Sequence, residues 1–270
     1  MDTKLAVIIS SCDAYSDAWQ PFFTLFFRYW TDFPYQLYLV TESKQYDDER
    51  VKTLTISDTS WATRLKEALR IVPQSYILYM QEDYFLTKTV NTQQIQELFS
   101  ILEHEQAGSM RIYPDPPPNQ PFKGYREVGI VKPGTPYRLS LQATLWNKEI
   151  LQKLLVPGDN PWNTEHEGSK RSNELPHVFL SVKRNPFWKK TVSPVFEYIC
   201  TGISKRLWTW DAIYLFQREA ISADFSHRGT EMYATYLRRK LRHIPYIGGL
   251  FYFLYRVEYK LKTITNNLLN

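Results

Sequence analysis

The sequence predicts an α/β fold, and three observations carry the prediction. Short apolar runs alternate with segments whose apolar residues recur every three or four positions. Polar residues follow the runs, as at Ser10-Ser11-Cys12-Asp13 and Thr41-Glu42-Ser43. One run, residues 76–80, leads straight into Gln81, Glu82 and Asp83 before Tyr84-Phe85-Leu86 turns apolar again. A run of this kind reads as a strand buried on both faces. In open α/β sheets, ligands bind beyond the carboxyl ends of strands. Two adjacent carboxylates there need a cation, a donor network or solvent. Glu82 and Asp83 are therefore the first candidates for a metal–phosphate site, and a surface acidic turn is the plain alternative.

Taken in order, residues 4–10 centre on Leu-Ala-Val-Ile-Ile, a buried first strand. Trp19, Phe22, Phe23, Phe26, Phe27 and Trp30 then fall at helical spacing, with Pro21 tolerable in a first turn. Strands are expected at 35–40 and 51–56. Ser57, Asp58, Thr59 and Ser60 offer helix N-caps, and Trp61, Leu65, Leu69 and Val72 line one helix face that stops at Pro73. After the central strand, 91–105 reads as a helix and 109–113 as a strand ended by prolines. Residues 126–131 and 137–142 flank Lys-Pro-Gly-Thr-Pro and suggest a hairpin. Residues 147–155 read as a short helix, 158–172 as an exposed polar loop and 173–182 as a helix interrupted by Pro176. A strand at 194–199, a turn at 200–205 and a helix at 208–219 complete the body.

Composition narrows the class. With 270 residues, only 10 Gly and 19 Tyr, 15 Phe and 8 Trp, the chain is neither disordered nor a repeat array. Two cysteines, Cys12 and Cys200, build no disulfide framework or zinc spacing, which suits a reducing cytoplasm. The N-terminus enters a strand directly, without the regions of a signal peptide. From Glu231 onward, seven basic residues face two acidic ones, a surplus of five that equals the formal charge of +5 for the whole chain. The first 230 residues are thus neutral, which argues against a nucleic-acid face on the main body. No glycine-rich fingerprint or phosphate loop follows the first strand, and no Gly-x-Ser-x-Gly elbow occurs.

The run into Gln81-Glu82-Asp83 resembles the strand of GT-A-fold glycosyltransferases that ends in Asp-x-Asp. Asp83 matches the second Asp, while Gln81 departs from the pattern at the first. The block Ser140-Leu141-Gln142-Ala143-Thr144-Leu145-Trp146, followed by Pro161-Trp162, Glu165 and Gly168-Ser169, is similar to the acceptor half of small bacterial members associated with surface-polysaccharide assembly. The resemblance implies a mostly parallel, GT-A-like sheet with a C-terminal helical tail. It implies a nucleotide-sugar donor, a saccharide or lipid-linked acceptor, and Mg²⁺ or Mn²⁺ held at Asp83 on the donor diphosphate.

Transfer of a sugar needs neutralisation of the leaving diphosphate, a base for the acceptor hydroxyl, and alignment of both. Asp83 and Glu82 are expected to meet the first need, with Lys205 and Arg228 as candidate phosphate contacts. Ser11, Asp13 and Glu42 sit where a parallel sheet offers its carboxyl edge; capping of the next helix is the alternative for Ser11 and Asp13. Glu165 is the expected base in an inverting reaction, sheltered by Trp162, which could also stack on a sugar. Glu167 is the alternative base and an acceptor-side candidate.

The expected organisation is a glycosyltransferase domain over 1–230, divided into a nucleotide-sugar half (1–115) and an acceptor half (116–230), with a basic amphipathic tail over 231–270. Aromatic and basic residues in that tail suit the inner face of an anionic membrane. The competing reading is a non-catalytic membrane-surface adaptor that keeps a nucleotide-binding fold, which Gln81 favours.

Overall fold

The structure is a computed structural model and describes residues 4–57, 60–184 and 195–241. The chain divides into two compact units, Met1–Cys200 and Thr201–Asn270. The division falls at Cys200, and the helix at the start of the expected tail belongs to the second unit.

In the first unit, β1 (Leu5–Ser10) is buried at every position. It feeds a 3-10 turn (Asp13–Ala18) and then α1 (Trp19–Tyr29). The aromatic stripe of α1 is core: Phe22, Phe23 and Phe26 are at most 1% exposed. Each such ring contributes about 1.5–3 kcal/mol by leaving water. Trp30 closes the stripe, its indole N–H donating to Thr92 Oγ1 at 2.8 Å. Next come β2 (Gln36–Thr41), β3 (Val51–Thr55) and α2 (Trp61–Ile71). The α2 N-cap is Ser60, whose hydroxyl accepts from Thr63 N. Of the other cap candidates, Asp58 and Thr59 lie outside the described residues.

The central run forms β4 (Tyr76–Gln81), and Phe85–Leu86 splits off as a separate β5. Asn91 caps α3 (Thr92–His104), followed by β6 (Ser109–Arg111), β7 (Gln120–Phe122) and β8 (Tyr125–Ile130). The remainder is β9 (Thr144–Asn147), α4 (Lys148–Leu154), α5 (Pro161–Ser172), β10 (Phe179–Val182) and β11 (Tyr198–Ile199).

Among the described residues the main sheet runs β3-β2-β1-β4-β9-β6-β10-β8-β7. Strands β3, β2, β1 and β4 are parallel, and so are β6 and β10. Strand β9 is antiparallel to both β4 and β6 and joins the two parallel groups. The fold is α/β, a central sheet flanked by helices, as the sequence predicts. On one face Ala6, Ile8, Ile77 and Trp146 pack with Leu65 and Leu69 of α2 and Ile150 and Leu151 of α4.

Three local expectations are corrected. The hairpin partner of β8 is β7, not residues 137–142. Tyr137 has φ +55, and the amides of Leu139 and Leu141 go to Ser169 Oγ and the Glu165 carboxylate, so that stretch has no ladder to offer. The expected polar loop at 158–172 contains α5. Its buried face is small, made of Thr164, Gly168, Ser169 and Ser172, and gives no apolar periodicity. Finally, the helix expected at 173–182 is replaced by β10, which finds partners on both sides in β6 and β8.

The second unit holds a tight hairpin of β12 (Ile203–Ser204) and β13 (Leu207–Trp208), then α6 (Trp210–Arg218) and α7 (Tyr233–Leu241). Arg239 makes a two-pronged contact to Glu231, both prongs 2.8 Å, and reaches Asp211 at 2.9 Å. The tail features beyond α7, including Arg242, Pro245, the 247–255 run, Arg256, Lys260 and Lys262, lie outside the described residues. Among the described residues no helix is long and apolar enough to cross a membrane.

Candidate functional site at the carboxyl edge of the parallel strands

The site begins with strand register. Ser10 of β1 stands opposite Val40 of β2 and Gln81 of β4. The three parallel strands therefore end level, and the residues after each end share one edge. Ser11 to Asp13 follow β1, Glu42 and Ser43 follow β2, and Glu82 and Asp83 follow β4.

Asp13 and Glu42 lock two of these loops together. The Asp13 carboxylate accepts from the backbone N–H groups of Glu42, Ser43 and Lys44 at 3.1–3.2 Å and from the Ser43 hydroxyl. Glu42 returns the contact by accepting from Asp13 N at 2.8 Å. Desolvation pushes the Asp13 carboxyl up, but these donors outweigh it and hold it below the ordinary aspartate value. The other Glu42 oxygen pairs with Arg64 of α2 at 2.8 Å. Ser11 is buried, its hydroxyl accepting from Trp19 Nε1 at 2.7 Å, and Ser10 Oγ accepts from Trp61 Nε1 at 3.0 Å.

Glu82 and Asp83 are both buried, at 8% and 7% exposure. They act on different neighbours. Burial pushes the Cys12 thiol up, and the charges of Glu82 and Glu42 push it further. Glu82 also bears on the Tyr79 hydroxyl, while Asp83 bears on Tyr84 and Tyr198. The Tyr84 hydroxyl donates to Leu141 O at 3.0 Å, and Tyr198 Oη donates to Gln142 Oε1 at 3.0 Å. Gln81, at the departing position, donates its amide to Tyr79 Oη at 3.1 Å.

Glu165 reaches the same neighbourhood from α5. Asn160 caps this helix and Pro161 opens it, a start signal visible in the sequence. One Glu165 oxygen accepts from Leu141 N at 2.8 Å and lies 3.4 Å from Ser140 Oγ. Burial pushes its carboxyl above the ordinary glutamate value, against the lowering pull of Leu141 N–H, Arg111 and Ser140. Its charge bears on Tyr79 and Tyr84, the same tyrosines that sense Glu82 and Asp83. Trp162 does not provide the shelter: its ring is 76% exposed, and the body of the protein buries Glu165.

Arg111 is the member that sequence reading missed. A cation at the end of an apolar strand, Met110-Arg111-Ile112, was the available signal. It is 3% exposed and donates to the carbonyls of Pro116, Tyr137 and Arg138. Burial pushes its pKa down to about 10, opposed by the charges of Glu165, Asp115 and Tyr198, so it stays charged at neutral pH. Arg64 was also missed; inside an ordinary amphipathic helix it carries no signal.

The remaining predicted residues are Glu167, Lys205 and Arg228. Glu167 is on the solvent side of α5, pairing with His166 Nδ1 at 2.7 Å and Lys170 Nζ at 2.9 Å. Lys205 and Arg228 belong to the second unit. Lys205 occupies the β12–β13 turn with φ +50, and the Arg228 guanidinium lies 5.6 Å from the centre of the Trp208 ring.

Among the described residues no group of three His, Cys, Asp or Glu side chains is placed to hold a metal ion. Mg²⁺ on a nucleotide is commonly held by one or two carboxylates plus phosphates and water. Glu82 and Asp83 bring two buried carboxylates to the end of β4.

Fold and edge together define an α/β protein with carboxylates gathered at the carboxyl edge of its parallel strands. No protein-family model and no curated protein matches the sequence. Solved structures that resemble it include S. aureus TarS 1–349 in complex with UDP-GlcNAc, at 10% identity and TM-score 0.43, covering 67% of this chain and 59% of that one. A cytidylyltransferase from Leptospira borgpetersenii is similar at 11% identity and TM-score 0.40, over 85% of this chain and 98% of that one. A Drosophila β-1,4-galactosyltransferase 7 in complex with manganese, UDP-Gal and xylobiose is similar at 14% identity and TM-score 0.36, over 74% and 71%. The chain thus spans about three fifths of the TarS fragment. Likeness at this level bears on neither activity nor substrate.

Proposed function

We propose that this protein transfers a sugar from a nucleotide-sugar donor to a saccharide or lipid-linked acceptor in surface-polysaccharide assembly, with inversion. The observation that carries the reading is that Glu82 and Asp83 follow β4 at the level ends of β1, β2 and β4, while Glu165 is held to Leu141 N and Tyr84, next to Asp83, donates to Leu141 O. The donor lies along this edge, between the loops braced by Asp13 and Glu42. Asp83, with Glu82, would hold Mg²⁺ or Mn²⁺, which supplies positive charge to the leaving diphosphate.

Glu165 takes the proton from the acceptor hydroxyl. The freed oxygen attacks the anomeric carbon, and the bond to the diphosphate breaks with its electron pair staying on the phosphate oxygen. A raised pKa suits this role, because a base closer to the working pH accepts the proton more readily. Arg111, through the backbone of Tyr137 and Arg138, is a positioning residue for the segment that carries Leu141.

A second reading is supported by one feature. Gln81 provides a neutral amide, spent on Tyr79, where a metal ligand would help. That favours a non-catalytic membrane-surface adaptor that keeps a nucleotide-binding fold. Incubating the full chain with a panel of nucleotide sugars, with and without Mn²⁺, separates the two. Release of nucleotide diphosphate supports the transferase; binding without release supports the adaptor; neither outcome for any donor removes both.

A further inference from the structure

A cleft of about 220 Å³ opens between the loop after β8 and α5. Thr135 and Tyr137 line one wall; His166, Ser169, Lys170 and Asn173 line the other. The helix residues sit at i, i+3, i+4 and i+7, a single polar stripe along α5 and its C-cap.

Tyr137 is the unusual member. Its side chain is 54% exposed, and its φ of +55 is a left-handed conformation rare for a residue with a Cβ. Such a conformation persists only where the surroundings fix it. Here they do: Arg111 Nη2 donates to Tyr137 O at 2.7 Å, and Arg138 N donates to Thr135 O at 3.1 Å. On the opposite wall Asn173 Oδ1 accepts from Gly134 N at 2.9 Å, which ties the helix C-cap to the loop. A buried cation and two backbone clamps thus present an aromatic ring to solvent beside amide, hydroxyl and imidazole groups.

Charge and size narrow the ligand. Lys170 and His166 both pair with Glu167, so the cleft lacks the uncompensated positive charge that a phosphate needs. Its volume is below the roughly 300–1,000 Å³ of sites for drug-sized ligands. An exposed ring with a polar rim suits a ligand that has one apolar face and hydroxyls around its edge. The cleft also shares a helical turn with Glu165, since Ser169 Oγ donates to Glu165 O.

We propose that this cleft binds one neutral pyranose unit of the acceptor, stacked on Tyr137. Its assignment to the acceptor rests on the transferase reading. The test uses the full chain and the methyl glycosides of glucose, galactose and N-acetylglucosamine, followed by saturation-transfer NMR. At least one glycoside should bind. Affinity should fall about fivefold or more in Tyr137→Asn, because asparagine tolerates the left-handed backbone but removes the ring. His166→Ala, at an exposed helix position, should weaken binding as well and guards against a folding defect in the first variant.

Absence of binding by the parent protein, or equal affinity in both variants, would overturn the inference. So would displacement of a bound glycoside by inorganic phosphate. Nucleotide-sugar hydrolysis by the parent protein keeps the two claims apart. Hydrolysis without glycoside binding removes the cleft and leaves the transferase. Tyr137-dependent glycoside binding without hydrolysis of any donor supports the saccharide site and removes the transferase.

Discussion

The Glu165 carboxylate on α5 is fixed to the backbone N–H of Leu141 at 2.8 Å, although 24 residues separate them in the chain. That bond joins a helix with no apolar stripe to a segment with no ladder partners. It holds a partly buried carboxylate beside the ends of the parallel strands.

The pH dependence of this carboxylate has a definite sign. Its folded pKa is raised by burial, so the proton is bound more tightly in the folded state. Stability from this group is fully present below the ordinary glutamate range and is lost as pH rises through the folded pKa. Glu165→Gln keeps an oxygen for Leu141 N–H and removes the charge. Its melting temperature should exceed that of the parent at neutral pH, and the gain should vanish in acid. Transfer by the parent should rise with pH through a value above the ordinary glutamate range. Glu165→Gln should lose transfer while still binding donor.

Asp13 titrates in the other direction. Its folded pKa is lowered despite some desolvation, because the Ser43 hydroxyl and three backbone N–H groups favour the charged form. Its contribution is present above the ordinary aspartate value and lost as pH falls through the folded one. Asp13→Ala should cost about 1 kcal/mol at neutral pH, charge-assisted bonds discounted for exposure to water. Denaturant melts at two pH values check this; the gap between parent and variant should close in acid.

Gly168 tests the seating of α5. A Cβ there would stand 2.7 Å from Leu139 Cδ1, and Leu139 is fully buried. Alanine gains about 1 kcal/mol in helix propensity, while overpacking costs about 1–3 kcal/mol. The clash should win, so Gly168→Ala lowers stability and also lowers transfer, because Glu165 rides on the same helix. A variant more stable than the parent would show that α5 is seated more loosely than its contacts imply.

Legibility in the sequence followed apolar periodicity. The parallel strands β1, β2, β3 and β4 and the helices α1, α2 and α3 were readable because burial on a sheet demands apolar residues at fixed spacing. The edge candidates Asp13, Glu42, Glu82 and Asp83 were readable from their place after those strands. Helix α5 was not, because Thr164, Gly168, Ser169 and Ser172 bury a face without hydrophobic residues. Glu165 was thus expected in a loop under Trp162, and it is found on a helix with that ring in solvent. Arg111 escaped notice because two of the three carbonyls it holds, those of Tyr137 and Arg138, are distant in sequence.

The most direct test of the account is turnover of nucleotide sugars by the parent protein and by Asp83→Asn, each titrated with Mn²⁺. The account predicts that the parent turns over at least one donor, faster with the metal. It predicts that Asp83→Asn lowers the rate by at least about 10²-fold with an unchanged melting curve, since the substitution removes charge aimed at the leaving diphosphate. Near-parental, metal-stimulated turnover by Asp83→Asn would contradict it.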